Sequence, residues 1–120
     1  MVLVDTSVWI RFLRAGDRHL AELLDQGIIV CHPFIIGELA CGRIHNRREI
    51  LGLLQALPSA EVLQQSELLQ FIERHGLMGT GLGFVDVHLL ASAILTGVSF
   101  WTHDKRLKRA SFELGVGYTQ

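Results

Sequence analysis

Four acidic residues in this chain of 120 residues stand where a carboxylate demands an explanation. Asp5 directly follows the apolar run MVLV, and Asp104 follows VSFW in the segment FWTHDKR. Glu38 lies in PFIIGELAC and Asp86 in GFVDVHLLASA, both among apolar neighbours. An acid on an otherwise apolar helix must be buried with a partner or it costs several kcal/mol. These carboxylates are therefore the first candidates for chemistry.

Carboxylates that share one pocket need a positive charge between them. Two such groups about 5 Å apart repel by roughly 3 kcal/mol at an effective dielectric of 20. No fixed cation stands beside these acids in the sequence, so a divalent ion with oxygen ligands, Mg²⁺ or Mn²⁺, is the economical partner. Such an ion holds phosphate oxygens and activates water for attack on phosphorus. Taken singly, Asp5 and Asp104 also have a structural explanation, since acids favour helix N-termini.

The elements that would position these acids alternate between strand and helix. Near-continuous apolar runs predict buried parallel strands at Met1–Val4, Ile28–Cys31, Ala60–Leu63 and Val98–Trp101. Helical periodicity and caps predict helices at Ser7–Arg14, Asp17–Gln26, from Pro33, from a cap at Asn46 with Glu49 to before Pro58, at Ser66–His75, Phe84–Thr96 and Asp104–Leu114. The pattern predicts an α/β fold with a parallel sheet of four to five strands flanked by helices on both faces.

This fold class explains how distant acids could meet. In open parallel sheets, ligands bind outside the carboxyl ends of the strands, where the strand order reverses. We therefore expect Asp5, Glu38, Asp86 and Asp104 to belong to one edge of the sheet and to form one metal site.

Length and composition limit the remaining possibilities. The length predicts one domain, residues 1–120, and 49% hydrophobic residues supply a substantial core. No apolar stretch reaches the roughly 18 residues of a membrane helix, so no membrane span is expected. No basic region precedes the first apolar run, so this run is not expected to be a signal peptide. Two cysteines, Cys31 and Cys41, are too few for a disulfide framework, so a reduced, cytoplasmic protein is expected.

Four blocks along the chain carry a family resemblance. LVDTSVWI, IIGEL, GFVDVHLLASA and WTHDKRL, in this order up to Leu107, resemble the pattern of PIN-domain ribonucleases of the VapC toxin type. The resemblance implies a PIN-like fold and an endoribonuclease, dependent on Mg²⁺ or Mn²⁺, that hydrolyses RNA phosphodiester bonds. It further implies the toxin of a type II toxin–antitoxin pair, acting on tRNA or ribosomal RNA, with a cognate antitoxin and a homodimeric state.

The resemblance also assigns residues. It places Asp5, Glu38, Asp86 and Asp104 in the acidic site, Thr6 at the hydroxyl position beside the first acid, and Thr102 at the Ser/Thr position two residues before the last acid. Two departures stand out. Leu89 occupies a position where many members carry a further acid, and the last block reads Asp-Lys-Arg-Leu from Asp104 where many read Asp-x-Asp-Phe.

Basic and apolar residues near these blocks suggest binding surfaces. Arg11, Arg14, Lys105 and Arg106 flank the acidic segments and could bind RNA phosphates, although a solvated helix face would look the same. The basic group Arg43, Arg47 and Arg48 lies further from the acids in sequence and is expected to be ordinary surface, or an RNA or partner contact. Apolar helix surface at Leu53, Leu54 and Leu57 is a candidate homodimer contact.

Two other functions are compatible with clustered acids. A receiver-like signalling module also gathers acids and Mg²⁺ at strand ends, but Thr6 and Ser7, rather than a second acid, follow Asp5. A non-catalytic module that binds RNA or an antitoxin could keep the acids for metal or structure. A Ser-His-Asp triad built on Ser7 or Ser92 lacks the nucleophile elbow that such sites use. A nuclease assay with and without metal distinguishes these possibilities.

Overall fold

A computed structural model of the chain describes all residues from 1 to 120. Its three strands are Val2–Val4 (β1), Ile29–Val30 (β2) and Ser99–Trp101 (β3). Its helices are Thr6–Ala15 (α1), Arg18–Asp25 (α2), Pro33–Ala40 (α3), Arg47–Ala56 (α4), Gln65–His75 (α5), Phe84–Thr96 (α6) and Lys105–Glu113 (α7). None of these helices combines the length and the apolar character required to cross a bilayer.

The sheet is parallel and has the order β2-β1-β3. In the centre, Leu3 is opposite Val30 on one side and Phe100 on the other. All three residues of β1 are buried. Since neighbouring strand residues point to opposite faces of a sheet, both faces of β1 are covered, as in α/β folds. The predicted α/β class with a covered parallel sheet is confirmed.

The predicted strand count of four to five is wrong, because the run at residues 60–63 does not form a strand. There the chain makes one parallel bridge, between Cys31 and Ser59. The Cys31 N–H donates to the Pro58 carbonyl at 2.8 Å, and the Ala60 N–H donates to the Cys31 carbonyl at 2.8 Å. Beyond Ala60 the segment leaves the sheet, and Val62 is 42% exposed. The predicted strand at residues 60–63 therefore does not pair with β2, and only the single bridge at Ser59 forms.

A second isolated bridge lies at the opposite edge of the sheet, between Phe100 and Gly117. The Phe100 N–H donates to the Val116 carbonyl at 2.7 Å, and the Tyr118 N–H donates to the Phe100 carbonyl at 2.9 Å. The two outer segments therefore extend the sheet by one pairing each, which is too little to count as strands.

The seven predicted helices are all present, with ends within about two residues of the predicted ones. At the start of α2 the Asp17 carboxylate accepts a hydrogen bond from the Leu20 N–H at 3.1 Å. Helix α6 ends at Gly97, whose φ of 76° is the left-handed conformation that favours glycine. The cap predicted at Asn46 is wrong in its chemistry, because Asn46 has φ 54° and its side chain makes no capping bond.

The core joins the sheet to the helices that carry the acids. A cluster of 21 buried apolar residues includes all of β1 together with Ile35 and Leu39 of α3 and Leu89 and Leu90 of α6. A smaller cluster of three buried residues, Leu68, Val87 and Ala91, connects α5 to α6. Helices α3 and α6 are thus anchored by apolar contacts, which fixes where Glu38 and Asp86 can lie.

Candidate active site

The carboxyl ends of β1 and β3 lie side by side and supply the centre of the site. Asp5 follows β1 and Thr102 follows β3, and the Asp5 N–H donates to the Trp101 carbonyl at 2.9 Å. The chain leaves β1 toward β2 on one side and returns to β3 on the other. This is a point where the strand order reverses, which is where open α/β sheets bind ligands.

Asp5 is the most firmly held of the four acids. It is only 6% exposed, and its Oδ2 accepts hydrogen bonds from Ser7 Oγ and Thr102 Oγ1, both at 2.7 Å. Its other oxygen, Oδ1, has no hydrogen-bond partner in the protein. Although Asp5 precedes α1, its side chain does not cap that helix. The purely structural explanation for Asp5 as a helix cap is therefore wrong.

The two hydroxyls that hold Asp5 also tie together the loops after β1 and β3. Ser7 Oγ accepts from the His103 N–H at 3.0 Å, and Thr102 Oγ1 accepts from the Asp104 N–H at 3.1 Å. Sequence reasoning missed this role of Ser7, which it considered only as a nucleophile. The signal available in the sequence was Ser7 itself, because it is a second hydroxyl residue, directly after Asp5 and Thr6.

Glu38 joins the site from α3 through a hydroxyl of α1. The Thr6 Oγ1 donates to Glu38 Oε1 at 2.7 Å, and Oε2 has no hydrogen-bond partner in the protein. The expectation that Glu38 is buried among its apolar neighbours is wrong: it is exposed, while Ile35 and Leu39 form the buried side of α3. Glu38 therefore reaches the site from its solvent side and keeps more freedom than Asp5.

Asp86 lies in the first turn of α6 and is half-buried. Its Oδ2 accepts from the Gly83 N–H at 3.0 Å, which caps the helix. Burial raises the pKa of this carboxyl; the bond from Gly83 lowers it in part, and the charges of Asp5 and Asp104 raise it further. Asp86 is therefore near enough to Asp5 and to Asp104 for their negative charges to disfavour its ionised form.

Asp104 caps α7, as its structural explanation predicts. Its Oδ1 accepts from the Leu107 N–H at 2.9 Å, and its side chain is exposed. The second oxygen, Oδ2, has no partner in the protein. The cap uses only Oδ1, so Oδ2 of Asp104 remains available to a ligand.

The four carboxylates, which we call the carboxylate site (Asp5, Glu38, Asp86 and Asp104), share one pattern. Each has one oxygen held by an uncharged hydroxyl or backbone N–H donor and one oxygen without a protein donor. Ionised carboxylates only accept hydrogen bonds, so this oxygen set fits a hard cation. Nowhere in the structure do three or more acidic, histidine or cysteine side chains already lie close enough together to hold a metal ion. Asp86 is near enough to Asp5 and Asp104 for their charges to raise its pKa, whereas Glu38 is connected to Asp5 through the neighbouring Thr6 hydroxyl.

Exposed basic side chains lie on the two helices that follow Asp5 and Asp104, and none of them donates a hydrogen bond to the four acids. Arg11 and Arg14 are exposed on α1, and Lys105 and Arg106 are exposed on α7. The Arg106 guanidinium packs against the backbone of the glycine-rich loop before α6. Arg14 shares a cleft of about 270 Å³ with Glu38 and with Arg43, which sequence distance had separated from the acids.

Comparison with known proteins identifies the family of the chain. The PIN domain family matches residues 2–113 of the chain. The chain is 48% identical over 121 aligned positions to Ribonuclease VapC32 of Mycobacterium tuberculosis, from strains CDC 1551 / Oshkosh and ATCC 25618 / H37Rv. The alignment covers 100% of this chain and 98% of the relative. The predicted family is confirmed: the chain belongs to the PIN-domain family, as a protein of the VapC type.

Proposed function

We propose that this chain is a divalent-metal-dependent endoribonuclease that hydrolyses RNA phosphodiester bonds at the carboxylate site. The observation that carries the proposal is the set of four carboxylates, each with an oxygen that no protein donor reaches. Full-length similarity to a protein named as a ribonuclease supports the same reaction. Membership of the PIN family argues against the receiver-like alternative.

Asp5, Glu38, Asp86 and Asp104 would hold Mg²⁺ or Mn²⁺. The fit rests on donor chemistry: these ions prefer oxygen ligands, and only uncharged groups of the protein contact the four carboxylates. When bound, the ion supplies positive charge to the phosphate oxygens and lowers the pKa of a coordinated water.

The residues of the chain contribute position and charge. Ser7 and Thr102 fix the Asp5 carboxylate, and Thr6, the residue after Asp5, holds one oxygen of Glu38. We assign a positioning role to Thr6 and Thr102, because the hydroxyl of each donates a hydrogen bond to a carboxylate of the site. One acid of the carboxylate site orients the attacking water in line with the leaving oxygen.

RNA phosphates on either side of the scissile phosphate would be bound by four basic residues, Arg11, Arg14, Lys105 and Arg106. The proposal is supported by their exposure on α1 and α7, the helices that follow Asp5 and Asp104 in the chain. Phosphate contacts of this kind hold and orient the nucleic acid without reading its sequence. A structured RNA such as tRNA or ribosomal RNA is the proposed substrate class.

As the toxin of a type II pair, the protein would act in the cytoplasm and be held inactive by a cognate antitoxin. Both cysteines are free thiols, consistent with a reducing compartment. For the homodimer we propose the rim of an apolar groove of about 230 Å³ between α1, α2 and α4. Leu53 on that rim is 59% exposed, whereas Leu54 is buried and unavailable to a partner.

The direct test is cleavage of RNA by the purified protein in Mg²⁺, in Mn²⁺ and in EDTA. Cleavage should require the metal and should leave a 5′-phosphate and a 3′-hydroxyl, because water is the nucleophile. A 2′,3′-cyclic phosphate would show attack by the RNA's own 2′-hydroxyl and contradict the mechanism. Binding of RNA without cleavage under every metal condition would favour the non-catalytic alternative.

A further inference from the structure

A cleft is lined by Glu38, one of the four acids of the carboxylate site. We call it the Glu38 cleft; its volume is about 270 Å³. Its polar lining comprises Glu38 from α3, Arg14 from α1, and Arg43 and His45 from the turn that follows α3. The apolar side chains of Ile10, Leu13, Leu39 and Ile44 complete its walls. The cleft therefore combines cationic groups with an apolar surface next to a proposed ligand of the metal.

The turn that carries Arg43 is held by another arginine. Arg47 donates from Nη1 to the Gly42 carbonyl at 3.1 Å and from Nη2 to the Ala40 carbonyl. Both carbonyls belong to the end of α3 and the turn beyond it, where helix carbonyls lack partners. The guanidinium of Arg47 is thus used for structure, and it fixes the backbone from which Arg43 projects.

The guanidinium groups of Arg14 and Arg43 are not used in this way. Neither makes a hydrogen bond to the protein, and Glu38 is bonded to the Thr6 hydroxyl instead. Two arginines with unfilled donors in one concavity match phosphate oxygens, which accept their bonds in pairs. The apolar walls suit the face of a sugar or a base, as in sites for single-stranded nucleic acid.

We propose that the Glu38 cleft binds the RNA nucleotide adjacent to the scissile phosphate, with Arg14 and Arg43 contacting its phosphate group. This rests on the proposed ribonuclease function. Glu38 belongs both to the carboxylate site and to the cleft, so an RNA strand that enters the cleft from the site meets the two arginines. The cleft thereby sets the direction in which the strand crosses α1 and α3.

The test compares Arg14→Gln and Arg43→Gln with Arg48→Gln as the matched control. Arg48 is an exposed arginine close in sequence that does not line the cleft. Fluorescence anisotropy of a short labelled single-stranded RNA is measured over a range of salt concentrations, in EDTA. Each cleft variant should lower the slope of log affinity against log salt by about 0.7, the value for one lost phosphate contact on a single strand. Arg48→Gln should keep the wild-type slope.

Three results would overturn the proposal. Wild-type slopes in both cleft variants would show that no phosphate is bound there. Equal losses in all three variants would show an effect of overall charge rather than of the cleft. Impaired antitoxin binding with intact RNA binding would make the cleft a protein-binding surface. Thermal melts of the three variants check that these exposed substitutions leave the fold intact.

Cleavage by the wild-type protein in Mg²⁺ and Mn²⁺ is measured separately. Absence of cleavage would contradict the ribonuclease function, and unchanged salt slopes with normal cleavage would contradict the cleft alone. The two failures therefore give different results.

Discussion

Helices α3 and α6 contribute to two polar clusters that differ in their access to solvent and in the pairing of their principal side chains. In the carboxylate site, Glu38 and Asp86 each present an oxygen that no protein donor reaches. The second cluster, which we call the histidine cluster, consists of His32 at the start of α3 and His88 and Ser92 on α6, all of them buried. The same two helices thus build a site open to ligands and a site closed to them.

The histidine cluster is organised around His32, which is completely buried. Its Nδ1 accepts from the Phe34 N–H at 3.0 Å, so its Nε2 carries the proton and donates to Ser92 Oγ at 3.0 Å. The Phe34 ring packs edge-on against both His32 and His88, with centroid distances of 5.0 and 4.8 Å. Both ring nitrogens of His32 are satisfied, as buried polar groups normally are. His88 Nδ1 is also buried but has no hydrogen-bond partner in the protein.

The difference teaches how to separate a structural polar group from a functional one in this fold. His32, buried with both ring nitrogens paired, stabilises the helix packing and has no free polar atom for a ligand. An acid of the carboxylate site, with one oxygen held and the other unpaired, is positioned and still available. Substitutions in the histidine cluster should therefore lower stability, and substitutions in the carboxylate site should lower activity.

Asp5→Asn gives the largest expected effect and tests this separation directly. Cleavage in Mg²⁺ should fall by more than about 100-fold, since changes to groups that merely surround metal ligands already cost 10- to 100-fold. The amide keeps an oxygen for Ser7 and Thr102 but provides a weaker metal ligand. The measurement is the initial cleavage rate per folded molecule, compared with His32→Asn.

His32→Asn is the matched control for that experiment. It retains a side-chain acceptor for the Phe34 N–H and lies outside the carboxylate site, so folded His32→Asn should cleave at close to the wild-type rate. A comparable loss of rate in both variants would mean that the two clusters act as one unit, and the proposed separation of roles would be wrong.

Much of this arrangement was accessible from sequence because local signals determine it. Asp5 was found because an apolar strand ends there, and Asp86 because it interrupts an apolar helix. Helix ends were predictable where Gly97 or Asp17 supplies a terminating or capping conformation. Family resemblance then joined these local features into one site.

What the sequence could not show depends on contacts between distant segments. Ser7 and Thr102 meet only because β1 and β3 are neighbours in the sheet. The exposure of Glu38 depends on which side of α3 faces the core, and its uniformly apolar neighbours conceal that. Arg43 comes back to Glu38 only through the turn after α3.

The pH dependence of stability should come from the histidine cluster, with an intermediate effect. Burial, followed by the charge of His88, lowers the pKa of His32 from 6.5 to about 4. The unfolded chain therefore takes up a proton at higher pH than the folded one, so stability is complete above pH 6.5 and falls as the pH decreases toward 4. Between pH 7.5 and pH 5 the loss is about 2 kcal/mol.

Urea unfolding of the wild type and of His32→Asn across that range checks this expectation. The variant starts less stable at pH 7.5 and should lose less on acidification. A residual slope is expected, because burial lowers the pKa of His88 as well. Parallel pH profiles for the two proteins would show that acid destabilisation originates elsewhere.

Asp86→Asn should give the smallest effect, in the opposite direction, and it isolates the electrostatic cost of the carboxylate site. Burial and the charges of Asp5 and Asp104 raise the pKa of Asp86, so the ionised form is penalised in the folded state. Removing the charge should stabilise the metal-free protein at pH 7 by about 1 kcal/mol, after screening by water and salt. The gain should shrink in acid, where Asp86 is protonated in the wild type.

Glu67→Gln is the matched control for this last comparison. Glu67 accepts from the Gln64 N–H at 2.9 Å in the first turn of α5, just as Asp86 accepts from Gly83 in α6, but it lies outside the carboxylate site. Its substitution should be neutral or slightly destabilising, because a charge that favours the helix N-terminus is lost. Thermal melts in EDTA at fixed ionic strength compare the variants. Added Mg²⁺ should then stabilise the wild type more than Asp86→Asn, since an ion that binds only the folded state stabilises it by mass action. If Asp86→Asn instead behaves like Glu67→Gln under every condition, Asp86 is a helix cap, and the carboxylate site loses one of its two helix-borne acids.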